Sequence, residues 1–427
     1  MSLFTPDTNH ILVGLGGTGG RILKAFKMRM WEEIPNPQQR ACLPVSLLYI
    51  DSSDEMMPLH GMPNPEMQVM GQDASFSHKE FFDLSKVDLN HILNNIDCYP
   101  RLREIAGDVE MLQRSAPTGR GVTAQMRRVG RLLFAANARE YVDKLVQANA
   151  ECVSLSCREH SHIHIVTSTG GGLGSGALID AIAQARKTFP DATISVYALV
   201  PEKFLPNPGI DSGRYYPNGY AALQELNAFQ TGRFNPHDVT DSGQLYLYNP
   251  CLQGVANSVT LFSNVDELGN VVDSLRELPN HLFTRIFLMD PHAETRDEVE
   301  VAYDFDKMGD YALEFDETGV PDFKGNVPPA RTKKISAFNV KRVRYPRQKM
   351  LRRLSYAVGI SILNHLKDHN GQEGCGFDAP NILLEDMVAA RTGIPSLPAY
   401  WQQKADMAAA AVRKEANPLL RLQSALH

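Results

Sequence analysis

The sequence predicts an α/β protein with a mostly parallel sheet flanked by helices, followed by a smaller, mainly helical C-terminal part. Two stretches support this prediction most directly, residues 10–26 and 163–183, because in each an apolar strand enters a glycine turn that opens a helix. Apolar strands at 43–50 and 192–200 continue the alternation of strands and helices. Such alternation is typical of βαβ units, which build parallel sheets.

The central glycine loop, Ser168–Gly176, has five glycines in the seven positions 170–176. Glycine permits positive φ, and a turn that opens a helix exposes N–H groups where the helix dipole is positive. A phosphate is the anion that such a cradle favours. The alternative is a tight turn whose glycines only relieve crowding, but the second glycine turn, at 14–20, makes a pair of phosphate cradles the better interpretation.

Helices, strands and one loop are predicted for the first half of the chain. Pro35 and Pro37 end the first helix, and the apolar run 43–50 predicts a buried strand that ends at Asp51. Residues 54–75 are rich in Met, Pro and Gly, which predicts a loop. Apolar spacing predicts the other elements of this half: helices at about 76–95 and 100–114, a helix ending near Lys144, a helix at 177–187 and a strand at 192–200.

The second half begins with a proline-rich loop, 201–217, before a helix at 219–231. Two strand-like runs then predict a hairpin-like insertion within about 232–282. The elements that follow are a strand at 283–289 ending at Asp290, a long helix at about 294–315, a loop at 316–330, a strand at 334–345, a helix to about 367, and helices at about 380–391 and 398–415. The predicted domains are therefore 1–330 and a C-terminal region, 331–427, which is either small and helical or the start of a longer domain.

A third glycine-bearing loop, residues 116–131, includes four arginines. An arginine cluster is usually a solvated helix face. Beside two candidate phosphate loops, these arginines are also candidate charge partners for a polyphosphate.

Composition excludes several classes of protein. The net charge of −6 over 427 residues provides no basic field for nucleic acid. The six cysteines lack a CxxC pair, which argues against a zinc site or a disulfide scaffold, so no metal site is expected in the fold. No apolar run approaches the ~18 residues of a membrane span, and we expect a cytoplasmic protein. His162 and His164 alternate on a predicted strand and are interpreted as packed or edge residues.

The order of these motifs resembles the tubulin/FtsZ superfamily of polymerising GTPases. The family's GGGTGSG-like central loop has its counterpart at 170–176, its first phosphate loop at 14–20 and its third at 119–131. More narrowly, residues 125–131 and 336–346 are similar to a group of prokaryotic tubulin-like proteins.

This resemblance covers roughly residues 8–368 and implies a GTP-binding domain over 1–330, with GTP or GDP as cofactor and Mg²⁺ as a further candidate. It assigns nucleotide binding to the three loops and to polar residues near them. These residues are Gly16, Gly17, Thr18, Gly19, Arg21, Asp51, Gly119, Arg120, Gly121, Gln125, Thr169, Gly170, Gly171, Gly172, Leu173, Gly174, Ser175, Gly176, Asp211, Asn218 and Asp290.

Two of these residues correspond to positions that read the base in the family. Asn218 resembles an asparagine that reaches the purine, and Asp290 occupies the second base-reading position. A carboxylate there accepts from both N1–H and N2–H₂ of guanine, which adenine cannot match, so it would select GTP over ATP. A helix N-cap ahead of Pro291 explains Asp290 equally well and is compatible with that role.

The chain departs from the family pattern at two places. Leu173 replaces the usual threonine, so a hydroxyl contact to phosphate is lost, and we expect binding to survive better than turnover. The catalytic candidates Asp316, Glu317 and Asp322 would act in trans on a neighbouring subunit's nucleotide, but a solvated acidic loop is the alternative. A bulky residue at Gly174 is expected to abolish GTP binding while sparing the fold.

The resemblance thus implies a GTP-binding protein that assembles head to tail with copies of itself, with GTP hydrolysis at the subunit interface left open and protein partners contacting the C-terminal region. One alternative is a GTP-binding scaffold or switch without hydrolysis. Another is an NAD-dependent or adenylating enzyme, because Gly14, Gly16 and Gly19 also have the spacing of the dinucleotide fingerprint and Asp51 ends the next strand. Nucleic acid is not an expected partner, and no membrane span is expected.

Overall fold

The computed structural model describes residues 6, 8–58, 64–115, 123, 125–201, 213–249, 254–265, 271, 273–287, 335–337 and 352–360. The chain separates into two compact units, Met1–Arg342 and Val343–His427. In the second unit, residues 352–360 are helical. All strands and helices named below belong to the first unit.

Seven of the described strands form one parallel sheet, in the order β5-β2-β1-β6-β7-β8-β9, and the other two form a short antiparallel ribbon. The strands are β1 (Asn9–Leu15), β2 (Val45–Asp51), β3 (Gln68–Val69), β4 (Gln72–Asp73), β5 (Phe81–Asp83), β6 (Ser161–Ser168), β7 (Thr193–Leu199), β8 (Ser258–Phe262) and β9 (Ile335–Ala337). The α/β class and the mostly parallel sheet are confirmed.

The helices that flank this sheet follow the strands in the chain as the βαβ pattern requires. They are α1 (Gly16–Glu33), α2 (Pro37–Ala41), α3 (Leu89–Asn94), α4 (Pro100–Ala106), α5 (Val109–Ser115), α6 (Arg127–Ala136), α7 (Ala138–Ser156), α8 (Leu173–Thr188), α9 (Tyr215–Gln230) and α10 (Ser274–Phe287). Among the described residues, none of these helices has both the length and the apolar character that crossing a membrane requires.

Alternating side chains of the central strands supply two apolar layers, one on each face of the sheet. Ile11 and Ile163 belong to the layer that includes buried residues of α6, α7 and α8. Leu12 and Val166 belong to the opposite layer, with buried residues of α1 and α10. Because both faces are covered, the central strands read as nearly continuous apolar runs.

The strand predicted at 283–289 is wrong, because helix α10 extends through Phe287. Leu278, Leu282 and Ile286 recur every fourth residue, and all three are buried in the layer shared with α1. This spacing is helical, and packing of one apolar face against α1 decides the structure of the segment. The residues after Phe287, including the predicted long helix at 294–315, lie outside the described residues.

The insertion predicted within 232–282 needs a correction. Ser258–Phe262 is a strand of the main sheet that pairs in parallel with β7, and it is not half of a hairpin. Within 244–248, Gln244 makes an isolated bridge to His237. Next to β8, Ile335–Ala337 is the described part of the strand predicted at 334–345, so this part belongs to the sheet of the first unit.

The segment between β2 and α6 also differs from the prediction. The loop at 54–75 contains the β3–β4 ribbon, and the helix at about 76–95 is wrong over its first part, where Phe81–Asp83 forms β5 beside β2. The helix at 100–114 is divided into α4 and α5 by Gly107, whose φ is +66°. A positive φ at this position ends α4, as expected of glycine after a helix.

Candidate anion-binding site at the carboxyl edge of the sheet

The site begins where the strand order reverses. Strand β1 pairs with β2 on one side and with β6 on the other, and the chain leaves the carboxyl ends of β1 and β6 into its two glycine loops. In open α/β sheets this reversal produces a crevice in which ligands bind. The two predicted phosphate loops are therefore neighbours in space.

The first glycine turn contacts the central loop directly. Gly16 is the first residue of α1 and has a φ of +70°, which favours glycine. A Cβ atom placed on Gly16 would lie 3.1 Å from the backbone nitrogen of Gly174 and 3.9 Å from the Cβ of Leu173. Glycine at this position lets the first turns of α1 and α8 approach closely.

Both helices begin without a capping side chain. The residues before them, Leu15 and Gly172, make no side-chain capping hydrogen bond, and neither first turn contains an acidic residue. Helix α6 begins in the same way after Met126, with Arg127 and Arg128 in its first turn. Uncapped N-terminal N–H groups and a positive dipole end favour an anion. The α1 and α8 ends can therefore contact the same phosphate chain.

The central loop is anchored at its start and open in its middle. Thr169 is fully buried, and its backbone N–H and side-chain hydroxyl both donate to the carbonyl oxygen of Leu199, at 2.9 and 3.0 Å. Gly170 packs directly under the ring of Tyr215. A Cβ atom on Gly171, by contrast, would meet no atom within 4 Å. Gly171 therefore faces the space that a ligand would fill.

Leu173 and Gly174 form the base of the cradle. Leu173 is 4% exposed and belongs to the core layer beneath the loop, so it packs as an apolar residue where the family has a hydroxyl. A Cβ atom on Gly174 would overlap the hydroxyl of Thr167 and lie 2.7 Å from the carbonyl oxygen of Leu15. The expectation that a bulky residue at Gly174 spares the fold is therefore wrong.

Asn218 braces the two loops beside it. Its Nδ2 atom donates to the carbonyl oxygens of Gln125, at 2.7 Å, Gly170, at 3.1 Å, and Gly171, at 3.3 Å. Gln125 has a φ of +58°, an uncommon conformation for a residue with a side chain. The asparagine thus joins α9 to both loops, and contact between Asn218 and a purine remains a prediction.

Arg127 connects three helices at this site. Its Nε donates to the Ser175 hydroxyl at 2.8 Å, and Nη2 donates to the Ser175 carbonyl at 3.2 Å. The same guanidinium makes a two-pronged ion pair with Glu225, with Nη1 3.0 Å from Oε1 and Nη2 in contact with Oε2. Arginine suits this position because its fork of donors can bind a carboxylate and the two oxygens of Ser175 together.

Asp51 flanks the first glycine turn. Its Oδ2 lies 3.8 Å from a Cβ atom placed on Gly17 and accepts a hydrogen bond from the Tyr49 hydroxyl at 2.8 Å. Burial raises the pKa of the Asp51 carboxyl, against the hydrogen bonds from Tyr49 and from the backbone of Ser52 and Ser53, which lower it. Thr18 is half-buried and Arg21 is exposed on the first turns of α1.

The remaining predicted site residues lie outside the described residues. They are Gly119, Arg120, Gly121, Asp211, Asp290, Asp316, Glu317 and Asp322. Neither the brace formed by Arg127 and Glu225 nor the position of Tyr215 over Gly170 is apparent from the sequence. Arg127 stood out only as one member of the arginine cluster, and no local pattern marks Glu225.

Fold and site together define an open α/β protein with a candidate anion cradle at its topological switch point. A family model described as "Tubulin like" matches residues 11–363. The chain therefore belongs to the tubulin-like family, and the resemblance seen in the motif order is confirmed. The sequence matches no curated protein.

Several solved structures are similar to this chain. CetZ from Methanosaeta thermophila strain DSM 6194 is 15% identical over 69% of this chain and 59% of its own, with a TM-score of 0.37. CetZ2 from Haloferax volcanii, a GTPγS-bound protofilament, is 14% identical over 65% and 56%, with a TM-score of 0.35. TubZ from Bacillus thuringiensis serovar israelensis, a GTPγS-form protofilament, is 13% identical over 68% and 59%, with a TM-score of 0.37. The chain spans less than two thirds of each.

Proposed function

We propose that this tubulin-like protein binds GTP and GDP, with the nucleotide's phosphates between the first turns of α1 and α8. One observation supports this most strongly: the Gly16 turn and the Gly174 turn lie in contact at the switch point of the sheet. Their uncapped helix ends provide N–H donors of the kind that phosphates bind. Membership of the tubulin-like family makes a guanine nucleotide the best candidate.

The residues proposed to contact the nucleotide are those of the three glycine loops and the polar residues near them that the resemblance to the tubulin/FtsZ superfamily assigns. Among the described residues, Gly16–Gly19 and Thr169–Gly176 are proposed to surround the phosphates, with Arg21 and Asp51 beside the first turn. The proposal also includes the loop at 119–121, Asp211 and Asp290, for which the support is the sequence alone. Mg²⁺ is a further candidate, and leucine at position 173 has no side-chain oxygen to offer it.

The first experiment is a nucleotide titration by calorimetry, comparing GTP, GDP, ATP and NAD⁺ on nucleotide-free protein. We expect GTP and GDP to bind at least about tenfold more tightly than ATP, because two hydrogen bonds from guanine to a carboxylate are worth more than about 1.4 kcal/mol. If NAD⁺ bound best, the dinucleotide-enzyme alternative would replace this proposal.

Head-to-tail self-assembly is the second part of the proposal. A heterologous contact between copies produces an open filament unless it closes into a ring. Hydrolysis at such a contact would use Asp316, Glu317 or Asp322 of a neighbouring subunit. Sedimentation and phosphate release, measured at rising protein concentration, distinguish assembly with hydrolysis from assembly without it. Turnover that rises more than linearly supports assembly-coupled hydrolysis, and assembly without phosphate release supports the scaffold or switch.

Replacing Arg127 is expected to weaken nucleotide binding without unfolding the protein. Arg127→Met removes the bonds to Ser175 and Glu225 that hold the start of α8. Loss of hydrogen bonds to a charged group costs about 1.5–3 kcal/mol, so we expect roughly tenfold or greater loss of GTP affinity. Arg114→Met is the matched control, because it removes an exposed arginine–glutamate pair from α5, and calorimetry with both variants tests the claim. Equal affinities in the two variants would contradict a positioning role for Arg127.

The cellular setting completes the proposal. We propose that the protein acts in the cytoplasm of a prokaryote and contacts protein partners through its C-terminal region. Cys42, Cys98 and Cys157 are exposed free thiols in the described part of the chain, which suits a reducing compartment. Fractionation of cells that express the full-length protein tests this placement.

A further inference from the structure

Three histidines meet inside the fold, away from the glycine loops. His10 on β1 lies opposite His162 on β6, and His164 is on the same face of β6. One ring nitrogen from each histidine lies within 4.8 Å of the others. His10 is 6% exposed and His164 is fully buried, so two of the three imidazoles are held in the interior.

The hydrogen bonds among these rings leave one buried atom unexplained. His10 Nδ1 and His164 Nε2 are 3.0 Å apart, and His162 Nε2 is 2.8 Å from the Ser195 hydroxyl. The Nδ1 atom of His164, however, is buried and has no hydrogen-bond partner. A buried polar atom without a partner costs free energy, and an ion bound through Nε2 would not change that for Nδ1.

Three clustered imidazoles are a typical donor set for a transition metal. Imidazole nitrogen binds Zn²⁺, Cu²⁺ and Ni²⁺ well, and three histidines with one open position form a known type of zinc site. Two nitrogens bound to a tetrahedral Zn²⁺ at about 2.0–2.1 Å are roughly 3.3 Å apart. The 3.0 Å separation of His10 Nδ1 and His164 Nε2 is close to that value.

We propose that His10, His162 and His164 bind one divalent transition metal ion, with the fourth position taken by a water or hydroxide. His162 must turn its ring to join the set, because it is stacked on His164 with centroids 3.9 Å apart and planes at 21°. The Ser195 hydroxyl then serves as a partner for its second nitrogen, as second-shell groups do in metal sites. Arg285 lies near this face, with Nη1 3.5 Å from the Tyr197 hydroxyl, and its positive charge opposes a cation here unless an anionic ligand such as hydroxide completes the site.

An ion bound by the three histidines would also stabilise the sheet. It would join β1 and β6, the two strands that lead into the two glycine loops. Since β1 and β6 also form the switch point of the sheet, an ion between them would stabilise the strand pair on which the anion cradle is built. We therefore expect metal to raise the melting temperature of the protein even without nucleotide.

The test uses the full chain without a histidine tag, stripped with a chelator and dialysed. Zn²⁺ is titrated against a chromophoric competitor, and Co²⁺ is added to report the ligand geometry by visible absorption. We expect one tight equivalent of metal and X-ray absorption spectra that fit nitrogen and oxygen ligands with three imidazoles. Absence of a tight equivalent in the wild-type protein would overturn the proposal and leave the histidines as a packed, hydrogen-bonded cluster.

Variants distinguish this site from adventitious surface binding. His164→Asn and His10→Asn should each lower metal affinity by more than about 100-fold, beyond the 10–100-fold that loss of a second-shell group causes. His78→Asn, at an exposed histidine, is the control and should bind as wild type does. Unchanged affinity in folded His164→Asn protein would contradict the proposal. If that variant failed to fold, the imidazole count from the wild-type spectra would still decide the question.

Discussion

Gly171→Asp is expected to abolish guanine nucleotide binding while leaving the fold intact. Gly171 is the open position of the central loop, where an added Cβ meets nothing within 4 Å, so the new side chain starts in open space. Its carboxylate would lie beside the phosphates of the nucleotide, and bringing like charges together costs several kcal/mol. We expect at least about a 100-fold loss of GTP affinity, measured by calorimetry, with unchanged thermal unfolding.

Two further variants test whether the charge or the volume of the new side chain causes the loss of affinity. Gly171→Ala adds only a methyl group and should retain most of the affinity. Gly359→Asp adds the same charge in the helical residues 352–360, also with no atom within 4 Å of the new Cβ, and should bind as wild type does. Retention of tight GTP binding by Gly171→Asp would place the phosphates elsewhere.

The parallel sheet was predictable because its strands and turns are local signals. Residues 11–15 and 163–166 are largely apolar runs that lead into glycine turns, and such runs are typical of a sheet covered on both faces. Segment 283–287 was not predictable in the same way. Its apolar residues suit a short buried strand or a buried helix, and only contact with α1 across a large sequence separation decides between them.

The glycine loops of the cradle were also predictable only in part, because local sequence marks the turns but long-range contacts fix the role of each glycine. Glycine turns identify an anion site, but the sequence cannot say which glycine faces the ligand and which faces the protein. Gly130 and Gly176 are of the second kind, since a Cβ on Gly130 would overlap the carbonyl of Gly172 and one on Gly176 would overlap the carbonyl of Arg127. These contacts are backbone to backbone between α6 and α8. They explain why the start of α8 needs glycine for packing against α6, apart from any contact with a ligand.

The α6–α8 contact is also held by a buried ion pair, and Arg131→Met is expected to destabilise the protein by about 3–5 kcal/mol. Arg131 donates from Nε and Nη2 to the two carboxylate oxygens of Asp180, at 2.7 and 2.9 Å. Asp180 is 1% exposed, so removal of Arg131 leaves a buried carboxylate without its partner. Urea unfolding at neutral pH measures the loss, and a loss below about 1 kcal/mol would contradict this account.

The pH dependence of that loss distinguishes a buried charge from a simple packing defect. Burial raises the pKa of the Asp180 carboxyl, and Arg131 opposes this shift, so in Arg131→Met the folded-state pKa should rise further. The folded variant then binds more protons than the unfolded chain above the unfolded pKa of about 4, and its stability falls as pH rises. The deficit of Arg131→Met relative to wild type should therefore shrink as the pH is lowered through the raised folded-state pKa of Asp180. The double variant Arg131→Met with Asp180→Leu removes the charge altogether and should recover most of the lost stability at every pH, whereas a packing defect at Arg131 would persist in it.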